Sequence, residues 1–271
     1  MEHRFFLWKI VGAVGRQWWF LILFLLPQVI PPFTTRGYEL HEWRTVNAYI
    51  LTHPIKYHMA AFQPIFQIIP LVLLTAIFFA GKKVTRVFSA YVALTYFLVA
   101  FLQNTSISET YGFSVCIANV ITFLALAGLW FWEAIFPKNN FEIRQKYASR
   151  YWAIPLALLA FWRPVNPMTL LPDFNPAYIL TSGSGLSFCM STPLILAILI
   201  IHFPQVNKTV FLSTGFIGVF MSLGNFILEF VIYPTYWWVG ILHIPLFTLS
   251  MYSVVISFTD LVRLARNTAS N

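Results

Sequence analysis

Residues 211–228 read FLSTGFIGVFMSLGNFIL, a run of 18 residues without a charged side chain. Such a run is a candidate transmembrane helix, because about 20 helical residues cross the roughly 30 Å hydrocarbon core of a bilayer. Residues 20–30 form a second long apolar run. Transmembrane barrel strands would instead show alternating segments of about 10 residues. The sequence therefore predicts an all-α membrane protein.

The composition supports this fold class. Of 271 residues, 59% are hydrophobic and 10% are charged, whereas a soluble domain is about 45–50% apolar and about 25% charged. The net charge is +8, but the basic residues stand in short clusters between apolar runs, which is typical of encoded membrane topology. We therefore expect a lipid bilayer as the partner and no nucleic acid. The sequence does not indicate an oligomeric state.

The apolar runs predict a polytopic bundle of about eight spans. Seven spans are the alternative, because the apolar part of the fifth run is short. The chain is expected to form a single integral membrane domain over residues 1–271. The predicted spans are residues 17–33, 59–80, 87–103, 113–136, 151–165, 185–203, 209–232 and 236–259.

The distribution of basic residues predicts the orientation of these spans. With an inner N-terminus and an uncleaved first helix, 13 of the 17 basic residues lie on the inner side. The outer side then holds Arg36, Arg44, Lys56 and Arg163. This asymmetry indicates that both termini are cytoplasmic. We expect a multi-pass integral membrane protein, in the endoplasmic reticulum or another endomembrane if the source is eukaryotic and in the plasma membrane otherwise.

Two outer segments add further expectations. Residues 163–185 contain four prolines among apolar side chains, and a long irregular segment is uncommon unless it is functional or disordered. We therefore expect this Pro-rich loop to fold back on the bundle as a candidate lid. Asn104 begins an Asn-Thr-Ser acceptor sequence on the outer side, which predicts N-glycosylation in a eukaryotic secretory membrane.

Ionisable residues within spans are costly and are functional candidates by default. Glu229 lies near the outer end of the seventh span, and Asn225 lies four residues earlier on the same helix face. His243 lies about two turns into the eighth span from the same side, and Glu133 lies near the inner end of the fourth. We predict Glu229, His243 and Glu133 as catalytic residues. Asn225, Trp237, Trp238 and Asp173 are the predicted substrate-binding residues.

The cysteines and histidines give no metal or redox motif. Cys116 and Cys189 lie far apart in apolar runs without a Cys-x-x-Cys pattern, and we interpret both as small buried apolar residues. His53 and His58 are five residues apart, which is not the spacing of two ligands on one helix face. Neither a metal site nor a cofactor is predicted.

Residues 182–185 read Ser-Gly-Ser-Gly and resemble the Gly-x-Ser-Gly of rhomboid intramembrane proteases. The resemblance implies Ser184 as nucleophile and His243 as its base two helices later. Ser182 stands where that family has glycine, and the glycine that should follow the histidine is missing.

Aromatic residues make up 18% of the chain, and aromatic faces stabilise cations where water is excluded. In size, span count, aromatic content and sparse acids, the chain resembles the small integral-membrane terpene cyclases, and residues 224–229 (GNFILE) are the nearest local feature. This resemblance implies a membrane-embedded biosynthetic enzyme that cyclises an isoprenoid, with Glu229 as the proton donor. The alternatives are a proton-coupled small-molecule transporter and a non-catalytic scaffold or receptor.

Overall fold

A computed structural model describes residues 21–142 and 149–269 of the chain. It is mostly helical, at 73%. The described part contains nine α-helices, which we label α1 to α9. They are α1 (Trp43–Thr52), α2 (Gln63–Ala80), α3 (Thr85–Leu102), α4 (Ile117–Ile135), α5 (Ala153–Trp162), α6 (Tyr178–Thr181), α7 (Phe188–His202), α8 (Lys208–Phe226) and α9 (Trp237–Ala269).

Short helical segments of other kinds connect these helices. A π-helical turn at Ile227–Ile232 continues α8. The 3-10 segments are Leu26–Val29, Leu40–Glu42, Ile55–Phe62, Gly81–Val84, Ser184–Leu186 and Pro234–Tyr236.

A small antiparallel sheet corrects the expectation of a purely α-helical chain. Its strands are β1 (Phe33–Thr34), β2 (Thr105–Ser108) and β3 (Gly112–Val115), in the order β1-β3-β2. The β2–β3 hairpin joins α3 to α4 at one end of the bundle, which we call the sheet end. The predicted first and fourth spans therefore extended too far, because residue 33 of the first and residues 113–115 of the fourth pair in strands.

Among the described residues, four helical stretches are long and apolar enough to cross a membrane, or five if a bent pair counts as one span. The predicted eight spans are not confirmed. The first predicted span lies partly outside the described residues, and its remainder contains a 3-10 turn with Pro27. The fifth corresponds to α5, whose 10 residues measure about 15 Å, half of the hydrocarbon core. The structure does not test the cytoplasmic termini or the single domain, and both stay predictions.

Residues 63–102 form a helical stretch of 40 residues in which α2 and α3 are joined by the 3-10 turn Gly81–Val84, and the stretch folds back on itself at this turn. Gln67 near its start accepts a hydrogen bond from the Gly185 N–H, and Gln103 just after its end accepts one from the Phe188 N–H. In a straight helix these glutamines would be about 54 Å apart. The chain reverses at Gly81, whose φ of 49° is readily available only to glycine.

Helix α7 lies at the centre of the bundle. All 15 of its residues are buried, and α5, α8 and α9 pack around it. A helix that is apolar on every side is suited to such a position. At its start, the Phe188 ring stacks on Phe123 with centroids 4.7 Å apart, and Tyr96 is hydrogen-bonded to Thr192 at 3.1 Å. These contacts fix the first turn of α7 at the sheet end.

Helices α8 and α9 pack closely through small residues. A Cβ atom added at Gly215 would overlap the Ser253 side chain, and one at Gly218 would overlap the Ser250 side chain. This close approach fixes the two helices side by side. Their sheet-end halves carry Glu229 and His243.

The Pro-rich loop 163–185 folds against the sheet end. Val165 and Pro172 form an isolated β-bridge, and Trp238 donates to the Pro164 carbonyl at 2.7 Å. The helical part Tyr178–Leu186 then meets α7 at an angle of 91°. Ser184, Gly185 and Leu186 are buried, so this last part belongs to the core. The role of the loop as a lid stays a prediction.

Candidate functional site

Glu229 is a buried carboxyl group at the sheet end, 6% exposed. It lies in the π-helical turn, where the Tyr233 N–H donates to the Leu228 carbonyl at 2.8 Å. Single π-helical turns in α-helices are frequent at functional sites. The turn here is positioned by the antiparallel packing of α8 and α9.

His243 is the direct partner of Glu229. Its Nδ1 lies 2.9 Å from Glu229 Oε2 and 3.0 Å from the Val239 carbonyl oxygen. Both side chains are more than nine-tenths buried. The hydrogen bond of Nδ1 is the one to the Val239 carbonyl, whereas the contact with Glu229 is at ion-pair distance and leaves Oε2 without a hydrogen bond.

Cys189 is the second side chain that interacts with His243. It is the second residue of α7, and its side chain interacts electrostatically with that of His243. The Asn225 Nδ2 lies 3.4 Å from its Sγ and also donates to the Met221 carbonyl at 2.8 Å. We call Cys189, His243, Glu229 and Asn225 the thiol cluster.

The thiol cluster has the arrangement of an activated cysteine nucleophile. A nucleophile within reach of a base, with the base oriented by a third group, is the common arrangement of triad enzymes. Here Cys189 is the nucleophile, His243 is the base, and Glu229 is the group that orients the base.

Two hydrogen-bond donors beside the thiol are suited to a developing oxyanion. The Cys189 N–H belongs to the first turn of α7, where helix geometry leaves donors free. It has no acceptor in the described part of the chain. The Asn225 Nδ2 is the second donor, with one hydrogen on the Met221 carbonyl and the other directed at the Cys189 sulfur. Such donors stabilise the charge that forms when a nucleophile attacks a carbonyl group.

The Lys56 side chain interacts electrostatically with Cys189 and Arg163. Burial and the charge of Arg163 lower the pKa of Lys56 to about 7, while the Cys189 side chain acts in the opposite direction. Lys56 lies in the 3-10 segment before α2, and Arg163 follows α5. The predicted outer loops thus contribute charge to the site.

Ser184 does not form the predicted protease pair with His243. Its hydroxyl is hydrogen-bonded to Ser182 at 2.9 Å, and Ser182 accepts from the Gln67 amide at 2.6 Å. His243 contacts Glu229 and Cys189 instead. The serines therefore attach the bend before α7 to α2.

Glu133, predicted as catalytic, lies at the opposite end of the bundle. Its Oε1 accepts from the Lys138 and Asn139 N–H groups, each at 2.7 Å. Its Oε2 accepts from the Asn207 amide at 2.6 Å. Asn207 is the N-cap of α8. Glu133 therefore ties the end of α4 to the start of α8 and does not join the thiol cluster.

Of the predicted substrate-binding residues, only Asn225 contacts the cluster. Asp173 accepts from the Tyr178 hydroxyl at 2.6 Å. Trp238 is bonded to Pro164, and its ring packs on Phe174 with centroids 5.7 Å apart. Trp237 is 44% exposed. Asp173 and Trp238 thus stabilise the Pro-rich loop near the site.

Asn104 is fully buried. Its Nδ2 donates to the Val99 carbonyl at 2.9 Å, and its Oδ1 accepts from the Asn119 amide at 2.9 Å. This position leaves no room for a glycan, which speaks against the predicted modification.

The sequence interpretation missed Cys189. Its thiol contacts residues 36 and 54 positions later, which no local pattern reveals. The available signal was its place at the start of a span, two residues after the Ser- and Gly-rich segment 182–187. In the described residues, no group of three or more His, Cys, Asp or Glu side chains is arranged to hold a metal ion.

Comparison with known proteins adds no assignment. Neither the protein families, nor the curated proteins, nor the solved structures contain a match to this chain.

Proposed function

We propose that this chain is a membrane-embedded enzyme that transfers or hydrolyses the acyl group of a lipid-like substrate. The observation that carries the proposal is the contact series of Cys189, His243 and Glu229. Four or five apolar helical stretches of membrane-spanning length support a multi-pass location in the bilayer.

The proposed reaction has two halves. His243 takes the thiol proton, and the Cys189 sulfur attacks the carbonyl carbon of an acyl ester. The C–O bond breaks, the alcohol leaves with the proton from His243, and a thioester remains. Water or another acceptor then attacks the thioester, with His243 as base, and the thiol is regenerated. Glu229 orients the imidazole and stabilises its charged form.

Apolar surface beside the cluster supports a lipid-like substrate. Ile227 and Val231 on the π-helical turn are 57% and 73% exposed, and Ile244 next to His243 is 43% exposed. These side chains are placed to contact acyl chains, so a lipid ester can approach the thiol from within the bilayer.

Acid-initiated isoprenoid cyclisation is the second candidate. The observation in its favour is the group of rings after Asn225. Phe226 packs on Phe230 and Phe247, with centroids 5.7 and 5.4 Å apart. In this reaction Glu229 would donate the proton, and Cys189 would be dispensable. Proton-coupled transport stays a prediction without a specific structural observation.

Covalent labelling tests the acyl-transfer proposal. The purified protein is incubated with an alkyne-tagged palmitoyl nitrophenyl ester, and bound acyl groups are located by mass spectrometry. Wild type and Cys116→Ala should carry a label on Cys189 that neutral hydroxylamine removes, as expected of a thioester. Cys116 is the matched control, since it is the other buried free cysteine. His243→Ala should lower the labelling rate by about 10³-fold or more.

An unlabelled wild type, or equal labelling of Cys189→Ala, would contradict the proposal. The cyclase alternative is tested in organic extracts of producing cells. A cyclic product that disappears with Glu229→Gln and persists with Cys189→Ala would favour cyclisation.

A further inference from the structure

The Pro-rich loop presents apolar side chains with almost no charge among them. Asp173 is the one charged residue in positions 164–185, and its two carboxylate oxygens accept hydrogen bonds from the Asn175 N–H and the Tyr178 hydroxyl. Met168, at the far turn of the loop, is 91% exposed. The other exposed apolar side chains of the loop are Leu171, Phe174, Ile179 and Leu180. An apolar patch of this kind marks a contact with a membrane or with another protein.

The turn that carries Met168 has its backbone donors paired within the loop. The Asn166 Oδ1 accepts from the N–H groups of Met168 and Thr169, at 2.9 and 3.2 Å. The Asn166 carbonyl accepts from the Leu170 N–H at 2.9 Å, and the Asn166 N–H donates to the Leu171 carbonyl at 3.0 Å. The Leu171 N–H donates to the Thr169 hydroxyl at 3.4 Å, and the remaining residue of the turn is a proline, which has no N–H. Solvent satisfies such donors in water, whereas in lipid they need partners within the protein. This turn is therefore suited to lipid.

The loop lies at the level where α9 enters the membrane. The candidate span Pro234–Asp260 has 27 residues, which measure about 40 Å, so about 5 Å at each end extends beyond a hydrocarbon core of about 30 Å. Trp238 follows the first turn of this span, and tryptophan is enriched at that boundary. Trp238 donates to the Pro164 carbonyl at the start of the loop and packs on the Phe174 ring in its middle. Both parts of the loop are therefore held at headgroup level.

The second half of the loop runs along the membrane surface. Its helical part, Tyr178–Leu186, makes an angle of 91° with α7, and α7 packs against the spans formed by α8 and α9. A segment perpendicular to a helix of the bundle runs in the plane of the membrane. Ile179 and Leu180 in α6 are exposed. Apolar side chains exposed on an in-plane segment at headgroup level are typical of an interfacial membrane contact.

We propose that the turn at Met168 and the exposed side chains of α6 insert into the lipid headgroup region and anchor the sheet end in the membrane. The apolar patch is continuous with the surface of the α9 span, because the exposed Trp237 packs on Trp238 with centroids 5.7 Å apart and Trp238 packs on Phe174. The loop is then a membrane anchor and not a lid in water. This inference does not depend on the chemistry of the thiol cluster.

The accessibility of a spin label tests this inference. A nitroxide is attached to Met168→Cys in the Cys116→Ala, Cys189→Ala protein, which is reconstituted in dioleoyl phosphatidylcholine vesicles. Collisions of the label with lipid-soluble oxygen and with a water-soluble nickel chelate give its depth. We expect this label to lie about 5–10 Å below the phosphates. Glu109→Cys in the same background is the matched control, since Glu109 is exposed in the β2–β3 hairpin at the same end, and its label should lie in water above the phosphates.

A label at position 168 that meets the chelate as often as the label at position 109 would place the loop in water and overturn the inference. A label shielded from both oxygen and the chelate would show that the turn packs on protein, as in a closed lid, which also contradicts it. The spin-labelled proteins lack Cys189. A failure of the acyl-transfer proposal is therefore seen in the labelling with the palmitoyl ester and a failure of the membrane anchor in this experiment.

Discussion

Two carboxyl groups, Glu133 and Glu229, are buried at opposite ends of the same bundle. Glu133 is fully buried and accepts three hydrogen bonds of 2.6 to 2.7 Å. Glu229 is 6% exposed, and its close polar contact is the His243 imidazole at 2.9 Å. Burial alone does not distinguish them, but their partners do.

The partners decide which carboxyl group can take part in chemistry. The donors to Glu133 are two backbone N–H groups and an amide, none of which can act as a base toward a substrate or a nucleophile. The partner of Glu229 is an imidazole, the side chain that most readily gains and loses a proton. The imidazole in turn contacts a thiol. Glu133 is therefore suited to hold helices together, and Glu229 to orient a base.

The largest expected effect is on the reactivity of the Cys189 thiol at the sheet end, and it tests the difference between the two carboxyl groups directly. Glu229→Gln keeps the shape of the side chain but removes the charge that orients and stabilises the imidazolium. We expect acyl labelling of Cys189 to slow by about 10³-fold, with a nearly unchanged thermal unfolding midpoint. The measurement is the time course of labelling with the palmitoyl ester.

The matched control is Glu109→Gln, which changes an exposed carboxyl group in the β2–β3 hairpin and should label at the wild-type rate. If Glu229→Gln also labels at that rate, Glu229 is no more part of the chemistry than Glu133.

Much of the helical framework could be predicted from hydropathy. Helices α4, α7 and α8 lie inside the predicted spans 113–136, 185–203 and 209–232, apart from Lys208 at the start of α8. The sheet could not be predicted, because strands of two to four residues have too little periodicity to stand out from the ends of apolar runs. Helix α5 was predicted too long because apolar composition does not reveal the left-handed residue that ends it.

The site could be predicted in part. An intramembrane acid with an asparagine four residues earlier indicated Glu229 and Asn225, and the shared outer side suggested His243. Neither the role of Cys189 nor the difference between Glu133 and Glu229 could be predicted from the sequence. The donors to Glu133 come from residues 138, 139 and 207, and their convergence depends on how the helices pack.

A second prediction concerns stability at the opposite end. Glu133→Ala leaves two backbone N–H groups and the Asn207 amide without their acceptor in a buried place. We expect a loss of about 3 kcal/mol in the free energy of unfolding, because unpaired buried donors keep the full cost of desolvation. Unfolding in mixed micelles with a denaturing detergent measures this loss.

The control is Glu142→Ala, which removes an exposed carboxyl group and should change stability by less than about 0.5 kcal/mol. If Glu133→Ala protein is as stable as this control, or if it labels Cys189 as slowly as Glu229→Gln protein does, the structural role assigned to Glu133 is wrong.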